Sequence, residues 1–182
     1  MGKILGINGI KTHGKSTTDR ALAGLEVRGY KTLDVNQPIR HSWDARWKKK
    51  KDAKAIIEVA EDGDAIICHS YGGIKTAIAM EGIDFKAAFF FRPAMGRGHD
   101  FPGWQDTKIY CIHSLGDTAI WAGSVLLFHP FGLAGVYGFT DPFVTNVKTT
   151  GAHSVDFEDA NLGRWIEFID QKLDEVGFLK EK

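Results

Sequence analysis

A serine hydroxyl is a weak nucleophile at neutral pH. It becomes useful where a neighbouring base takes its proton and a third group, usually a carboxylate, holds that base. The stretch Asp64-Ala65-Ile66-Ile67-Cys68-His69-Ser70-Tyr71-Gly72-Gly73 offers such a serine at the end of an apolar run. A parallel strand that turns abruptly into a helix crowds the backbone of the turn residue. Small residues two places before and two places after it let strand and helix pass closely and lift the hydroxyl above the sheet. Cys68 and Gly72 hold those places, with Gly73 adding room at the helix start. Cysteine stands where glycine is usual, and its side chain is still small. Taken alone, a serine among glycines is also what a plain turn or helix N-cap requires.

The base and its holder are available downstream. The apolar run Lys108-Ile109-Tyr110-Cys111-Ile112 leads into His113-Ser114-Leu115-Gly116-Asp117, and Val144-Thr145-Asn146-Val147-Lys148 leads into Thr149-Thr150-Gly151-Ala152-His153-Ser154. If both runs are strands of one open parallel sheet, Asp117 and His153 lie in loops beyond carboxyl ends. Active-site groups gather on that side of such sheets, so Ser70, Asp117 and His153 can converge despite their separation in sequence. His113 and His129 are rival bases and Asp141 a rival acid. His113 directly follows its strand, where a structural place is more natural, and His129 beside Pro130 could line a pocket.

The elements that must position these groups follow an alternation of short apolar runs and amphipathic segments, which signals parallel strands joined by covering helices. Six strands are expected, over Lys3 to Ile7, Lys31 to Val35, Asp64 to Cys68, Lys86 to Phe91, Lys108 to Ile112 and Phe143 to Lys148. The run Ala87-Ala88-Phe89-Phe90-Phe91 is apolar on successive residues, as a strand buried on both faces should be. Helices are expected over Thr17 to Arg28, with Leu22 and Leu25 on one face, and over Lys51 to Ala60, with Ile56, Val59 and Ala60 inward. A last helix carries Leu162, Trp165, Ile166, Ile169 and Leu173 at helical spacing. Phe128 to Pro142 shows no clear period and reads as irregular structure, a short helix or part of a substrate wall.

Composition narrows the classes. The 182 residues fit one domain, residues 1–182, and Lys plus Arg balance Asp plus Glu at 23 each, so no global field recruits nucleic acid or an anionic membrane. Lys48-Lys49-Lys50-Lys51 is a local run that reads as a solvated helix turn. Cys68 and Cys111 each fall inside an expected core strand, which suggests buried, reduced thiols, and they lack metal-ligand spacing. No metal or other cofactor is expected. With no leader pattern and no bilayer-length apolar run, a soluble, cytoplasmic protein is the expectation. Oligomeric state is open.

On the residues Cys68-His69-Ser70-Tyr71-Gly72-Gly73, Leu115-Gly116-Asp117 and Gly151-Ala152-His153-Ser154, in that order, the chain resembles the α/β-hydrolase superfamily over nearly its whole length, in a small form with little or no cap domain. The resemblance implies a three-layer α/β sandwich with a mostly parallel sheet of about six strands in the order 2-1-3-4-5-6 and helices on both faces. It also implies an oxyanion hole made by the backbone N–H groups of Ile10 and Tyr71. The oxyanion loop is Asn8-Gly9-Ile10 here, with Asn8 where the family often has histidine. The implied activity is acyl transfer from an ester to water through Ser70, with thioesters and amides also open to the triad. The Tyr71 ring would wall the acyl pocket, and Phe101, Trp104, Trp121 and Phe131 are apolar candidates for lining an accessible cleft, or ordinary core residues.

A competing motif lies near the N-terminus. Gly9-Ile10-Lys11-Thr12-His13-Gly14-Lys15-Ser16 matches G-x-x-x-x-G-K-S between a strand and a helix, the context of a phosphate-cradling loop. Its best metal-holding acid is Asp34, in a weak strand. A phosphate- or nucleotide-binding protein is therefore one alternative, and it leaves Ser70 and the loops of Asp117 and His153 unexplained; a catalytically silent binding protein of the hydrolase fold is another.

Overall fold

The computed structural model describes residues 2–9, 17–35, 42–101, 106–126 and 132–181. Its frame is six parallel strands, β1 (Ile4–Ile7), β2 (Thr32–Asp34), β3 (Ala65–His69), β4 (Ala87–Phe91), β5 (Lys108–His113) and β6 (Val144–Lys148). They lie in the spatial order β2-β1-β3-β4-β5-β6. All pairings are parallel, with Ile7 beside Cys68, His69 beside Phe91 and His113 beside Lys148. The order reverses direction at β1 and β3, so the loops after these two strands leave the sheet on opposite faces and open a crevice between them.

Alternation along the central strands divides the core into two layers. Leu5, Ile7, Ile66, Cys68, Ala88, Phe90, Ile109 and Cys111 point to one face, beside Ile56 of α2 (Ser42–Ile57) and Ala77 and Ala79 of α3 (Gly72–Ala79). Ile4, Ala65, Ile67, Ala87, Phe89, Phe91, Tyr110 and Ile112 point to the other, against Leu22 and Leu25 of α1 (Thr17–Val27) and Trp165, Ile166, Ile169 and Leu173 of α6 (Asp159–Glu175). The five residues of β4 are all buried, as a strand covered on both sides must be. Two further helices, α4 (Thr118–Leu126) and α5 (Ala134–Tyr137), follow β5.

The differences from the sequence reading are local. α2 begins well before Lys51 and ends at Ile57, so Val59 lies in the turn beyond it and is exposed where an inward position was expected. Lys48 to Lys51 are all exposed on that helix. Phe143, expected in the last strand, stands in the turn before it and is 79% exposed. The described part of the Phe128 to Pro142 segment contains the single turn α5. Cys68 and Cys111 are free, buried thiols on the same face of the sheet.

The close passage of α3 across β1 depends on Gly72. A Cβ placed there would stand 2.5 Å from the Ile7 carbonyl oxygen, and backbone cannot yield as a side-chain tip can. Gly72→Ala should therefore cost about 2 kcal/mol. Gly82→Ala, where an added Cβ meets nothing within 4 Å, should not. Urea denaturation midpoints of the two variants check the contrast.

Candidate active site

Ser70 sits directly after β3 with φ +56°, one of two non-glycine residues in the left-handed region among those described. An L-residue pays about 1 to 2 kcal/mol for that conformation, so the surroundings must impose it. The imposing contacts are visible. The Ser70 N–H donates to the Phe91 carbonyl at the end of β4 (3.0 Å), and the Ser70 carbonyl accepts from the N–H groups of Gly73 and Ala94, both at 3.0 Å. The chain is thus pinned to the end of β4 on one side of the Ser70 Cα and to the segment that follows β4 on the other, while α3 starts at once. Gly9, in the loop after β1, runs against the turn, since a Cβ there would lie 2.9 Å from Ser70 Cβ and 3.3 Å from its Oγ.

Asp117 and His153 meet on the same side. His153 Nδ1 lies 2.7 Å from Asp117 Oδ2, with the carboxylate fully buried and the imidazole about one-fifth exposed. Asp117 also caps α4, because its Oδ1 accepts from the Ile120 N–H at 3.0 Å. The cap fixes one oxygen and so orients the other. The same residue therefore serves as the turn residue that a Gly-Asp pair announces and as the partner of a histidine 36 positions away.

His153 is tied to the serine turn through His69. The two rings lie 4.5 Å apart between centroids, and His69 Nε2 is 3.0 Å from the His153 carbonyl oxygen. Phe157 closes edge-on over the His69 ring at 5.6 Å. The residue just before Ser70 thereby holds the backbone of His153. Its one sign in the sequence is a histidine at the end of an otherwise apolar strand.

The rival groups have other work. His113 Nδ1 lies 3.1 Å from the Val136 carbonyl oxygen. The Asp141 carboxylate accepts from the N–H groups of Phe143 (2.8 Å) and Phe101 (3.4 Å), and the imidazole its charge acts on is that of His99. Phe101 packs against Phe90 and Phe139 in the core with 6% exposure, whereas Trp121 is 54% exposed on α4. The Tyr71 side chain is buried, clustered with Ala94, Ile120 and Val136, and its hydroxyl lies 3.5 Å from Asp52 Oδ2 of α2. Lys75 of α3 is buried nearby, with Nζ 5.6 Å from the Tyr71 ring centre, and burial pushes its ammonium down to about 8. Ile10, Trp104, Phe131 and His129 lie outside the described residues, as does the Gly9–Ser16 match beyond Gly9. Asn8 Oδ1 accepts from the Thr18 N–H at 3.1 Å, so the loop after β1 is fastened to the start of α1. Asp34 lies at the exposed end of the edge strand β2. Among the described residues no group of three or more His, Cys, Asp or Glu side chains is placed to hold a metal, and no helix is long and apolar enough to cross a membrane.

Solved structures give the arrangement a context. Alpha/beta hydrolase domain-containing protein 10 from mouse superposes with a TM-score of 0.65 at 14% identity, covering 96% of this chain and 90% of that one. An esterase from Pyrococcus furiosus gives a TM-score of 0.61 at 12% identity, covering 96% and 82%. A carboxylesterase from Bacillus subtilis gives 0.55 at 9% identity, covering 96% and 83%. This chain has the α/β-hydrolase fold. No protein-family model matches the sequence, and no curated protein matches it either. In that fold Ser70 occupies the strand-to-helix turn after β3, and the carboxylate and imidazole follow on the loops after β5 and β6.

Burial pushes the His69 ring down from 6.5 to about 3, reinforced by the nearby His153 ring, so it is neutral in the folded protein at neutral pH. A histidine whose folded pKa is depressed contributes stability above its unfolded pKa and loses it as pH falls towards the folded one. The loss should begin near pH 6.5 and amount to about 2 kcal/mol by pH 5. Urea titrations at pH 7 and pH 5 check this, and in His69→Gln the pH-dependent part should shrink even though that variant is weaker at both.

Proposed function

We propose that the chain is a serine-dependent acyl hydrolase, with Ser70 as nucleophile, His153 as general base and acid, and Asp117 as the group that orients His153. The reading rests above all on the His153–Asp117 contact of 2.7 Å, made on the same sheet edge as a serine in a left-handed turn. An acceptor-only carboxylate at Nδ1 puts the ring proton there and leaves Nε2 with its lone pair, which is the tautomer a general base needs. Hydrolase and esterase structures of the same fold, described above, support the class of chemistry by analogy.

The reaction proceeds in two balanced halves. Ser70 Oγ attacks the acyl carbonyl while His153 takes its proton. The tetrahedral intermediate collapses with that proton passing to the departing alcohol, which leaves acyl-Ser70. Water then attacks the acyl group, gives a proton to His153, and releases the carboxylic acid as the proton returns to Ser70. The backbone N–H of Tyr71, at the start of α3, is one oxyanion donor, and that of Ile10 is the second. Two fixed donors lower the barrier because they need no reorganisation, each being worth about 3 kcal/mol. Gly9 supports this placement, since its close approach brings the loop after β1 alongside the Ser70 hydroxyl. The preferred substrate is a small or accessible carboxylic ester. Trp104, Trp121 and Phe131 are the candidate apolar groups for its acyl or alcohol part, Phe101 being taken up by core packing, and the chain acts without a cofactor as a soluble cytoplasmic enzyme.

A fluorophosphonate probe should add to Ser70 and to no other residue, as read by peptide mass mapping. With p-nitrophenyl acetate, Ser70→Ala should lose turnover and the acyl-enzyme burst. Asp117→Asn should lower kcat by about two to four orders of magnitude. Asp141→Asn should leave it within about twofold, because that carboxylate is engaged in a turn. Labelling elsewhere, or full activity in Ser70→Ala, overturns the assignment.

A further inference from the structure

Arg92 is the other non-glycine residue with a left-handed backbone, φ +46°, and it is completely buried. It follows β4 directly, one place after the Phe91 carbonyl that receives the Ser70 N–H, and its own N–H donates to the Ile112 carbonyl at 2.8 Å. A buried guanidinium on a strained backbone is costly twice over. All of its described side-chain acceptors lie on one loop. Nη1 donates to the Gly151 carbonyl (2.8 Å) and Nη2 to the Thr150 carbonyl (3.2 Å). Nε and Nη2 reach the two oxygens of Asp156, at 2.5 and 3.3 Å. Asp156 is 1% exposed and also accepts from Trp165 Nε1 of α6 at 3.2 Å.

The guanidinium therefore grips the loop before and after His153. We propose that Arg92, with Asp156, is a positioning residue that sets the height and orientation of His153 over Ser70. The inference rests on the hydrolase reading above. Arg92 touches none of the proposed reacting atoms. It fixes the carbonyls two and three residues before His153 and the carboxylate three residues after it. Ser114 adds a tie from the loop that carries Asp117, because its hydroxyl donates to the same Gly151 carbonyl at 3.0 Å. Ser70, Asp117 and His153 are thereby all referenced to the carboxyl ends of β4 and β5. The need for arginine is geometric. Its planar fork serves two carbonyls and a carboxylate at once, whereas lysine offers one compact charge. Stability alone does not call for it, since a buried ion pair can often be replaced by apolar groups without loss.

The test uses the whole chain with Arg92→Lys, Arg92→Met and Asp156→Asn. Two readouts are needed. One is the downfield proton resonance of His153 Nδ1–H against Asp117, which needs no turnover. The other is hydrolysis of p-nitrophenyl acetate in the wild-type and His153→Ala backgrounds. Arg92→Lys and Arg92→Met should lower kcat about a hundredfold, as displacement of a catalytic group by about an ångström does, with KM within about twofold, and should shift or broaden the resonance. In the His153→Ala background the same substitutions should cause no further loss, because the effect acts through the imidazole. Unchanged kcat with an unmoved resonance overturns the proposal, and so does an equal loss in both backgrounds. If Arg92→Met does not fold, Arg92→Lys and Asp156→Asn carry the same two readouts. If the chain proves to have no esterase activity, the hydrolase reading fails on Ser70 labelling while the resonance still reports whether Arg92 holds His153.

Discussion

The first turn of α3 crosses β1 so closely that a single carbon on Gly72 would collide with the Ile7 carbonyl, and the layout of the carboxyl edge follows from that approach. With the helix drawn in so far, the chain has no room for an ordinary turn after β3. The reversal is completed at one residue, and Ser70 takes it in the left-handed region. Hydrogen bonds to Phe91 and Ala94 absorb the strain. Gly9 can then lie against the serine from the β1 side, because neither it nor Gly72 has a side chain to keep the segments apart.

The opposite side of the site depends on charge. The loop after β6 carries several backbone carbonyls turned towards the protein interior, and buried carbonyls require donors. Arg92 and Ser114 supply them from beneath, and Asp156 balances the guanidinium while taking the Trp165 indole N–H. The result is a polar patch in an otherwise apolar layer. It joins the ends of β4, β5 and β6 to the aromatic packing of Phe91, Phe157 and Trp165, whose ring centres lie 4.9 to 5.4 Å apart in contacting pairs. A half-satisfied version would be worse than an apolar one, which makes the arrangement all-or-none.

The sheet was readable because its signal is dense. Six short apolar runs with turn residues between them leave few alternatives, and their order follows from the resemblance once Ser70, Asp117 and His153 must share an edge. Asp117 and His153 were readable for the same reason, being placed by the strands before them. The helices were harder. α2 carries Lys48 to Lys51 without a clean apolar stripe, and α4, Thr-Ala-Ile-Trp-Ala-Gly-Ser-Val-Leu, is apolar nearly all round, so neither offers the contrast a periodicity argument uses. Arg92 and Asp156 were not legible. They are 64 residues apart, and an arginine before proline at the end of a strand carries no mark of burial. His69 belongs to the serine turn in the sequence, but its bond to the His153 backbone arises from tertiary approach, which local sequence does not encode.

The two sulfurs have a chemical consequence for the candidate site. Cys68 stands two residues before Ser70, yet its side chain points into the core and burial pushes its thiol up to about 12, with Cys111 raised further still. Thiolate, the form that attacks electrophiles, is then scarce at neutral pH. The chain has two cysteines and both are in this state. An activated acyl group arriving at the crevice at neutral pH, thioesters included, therefore meets little thiolate to intercept it by exchange. An acyl adduct formed there at neutral pH would therefore sit on oxygen or nitrogen and not on sulfur.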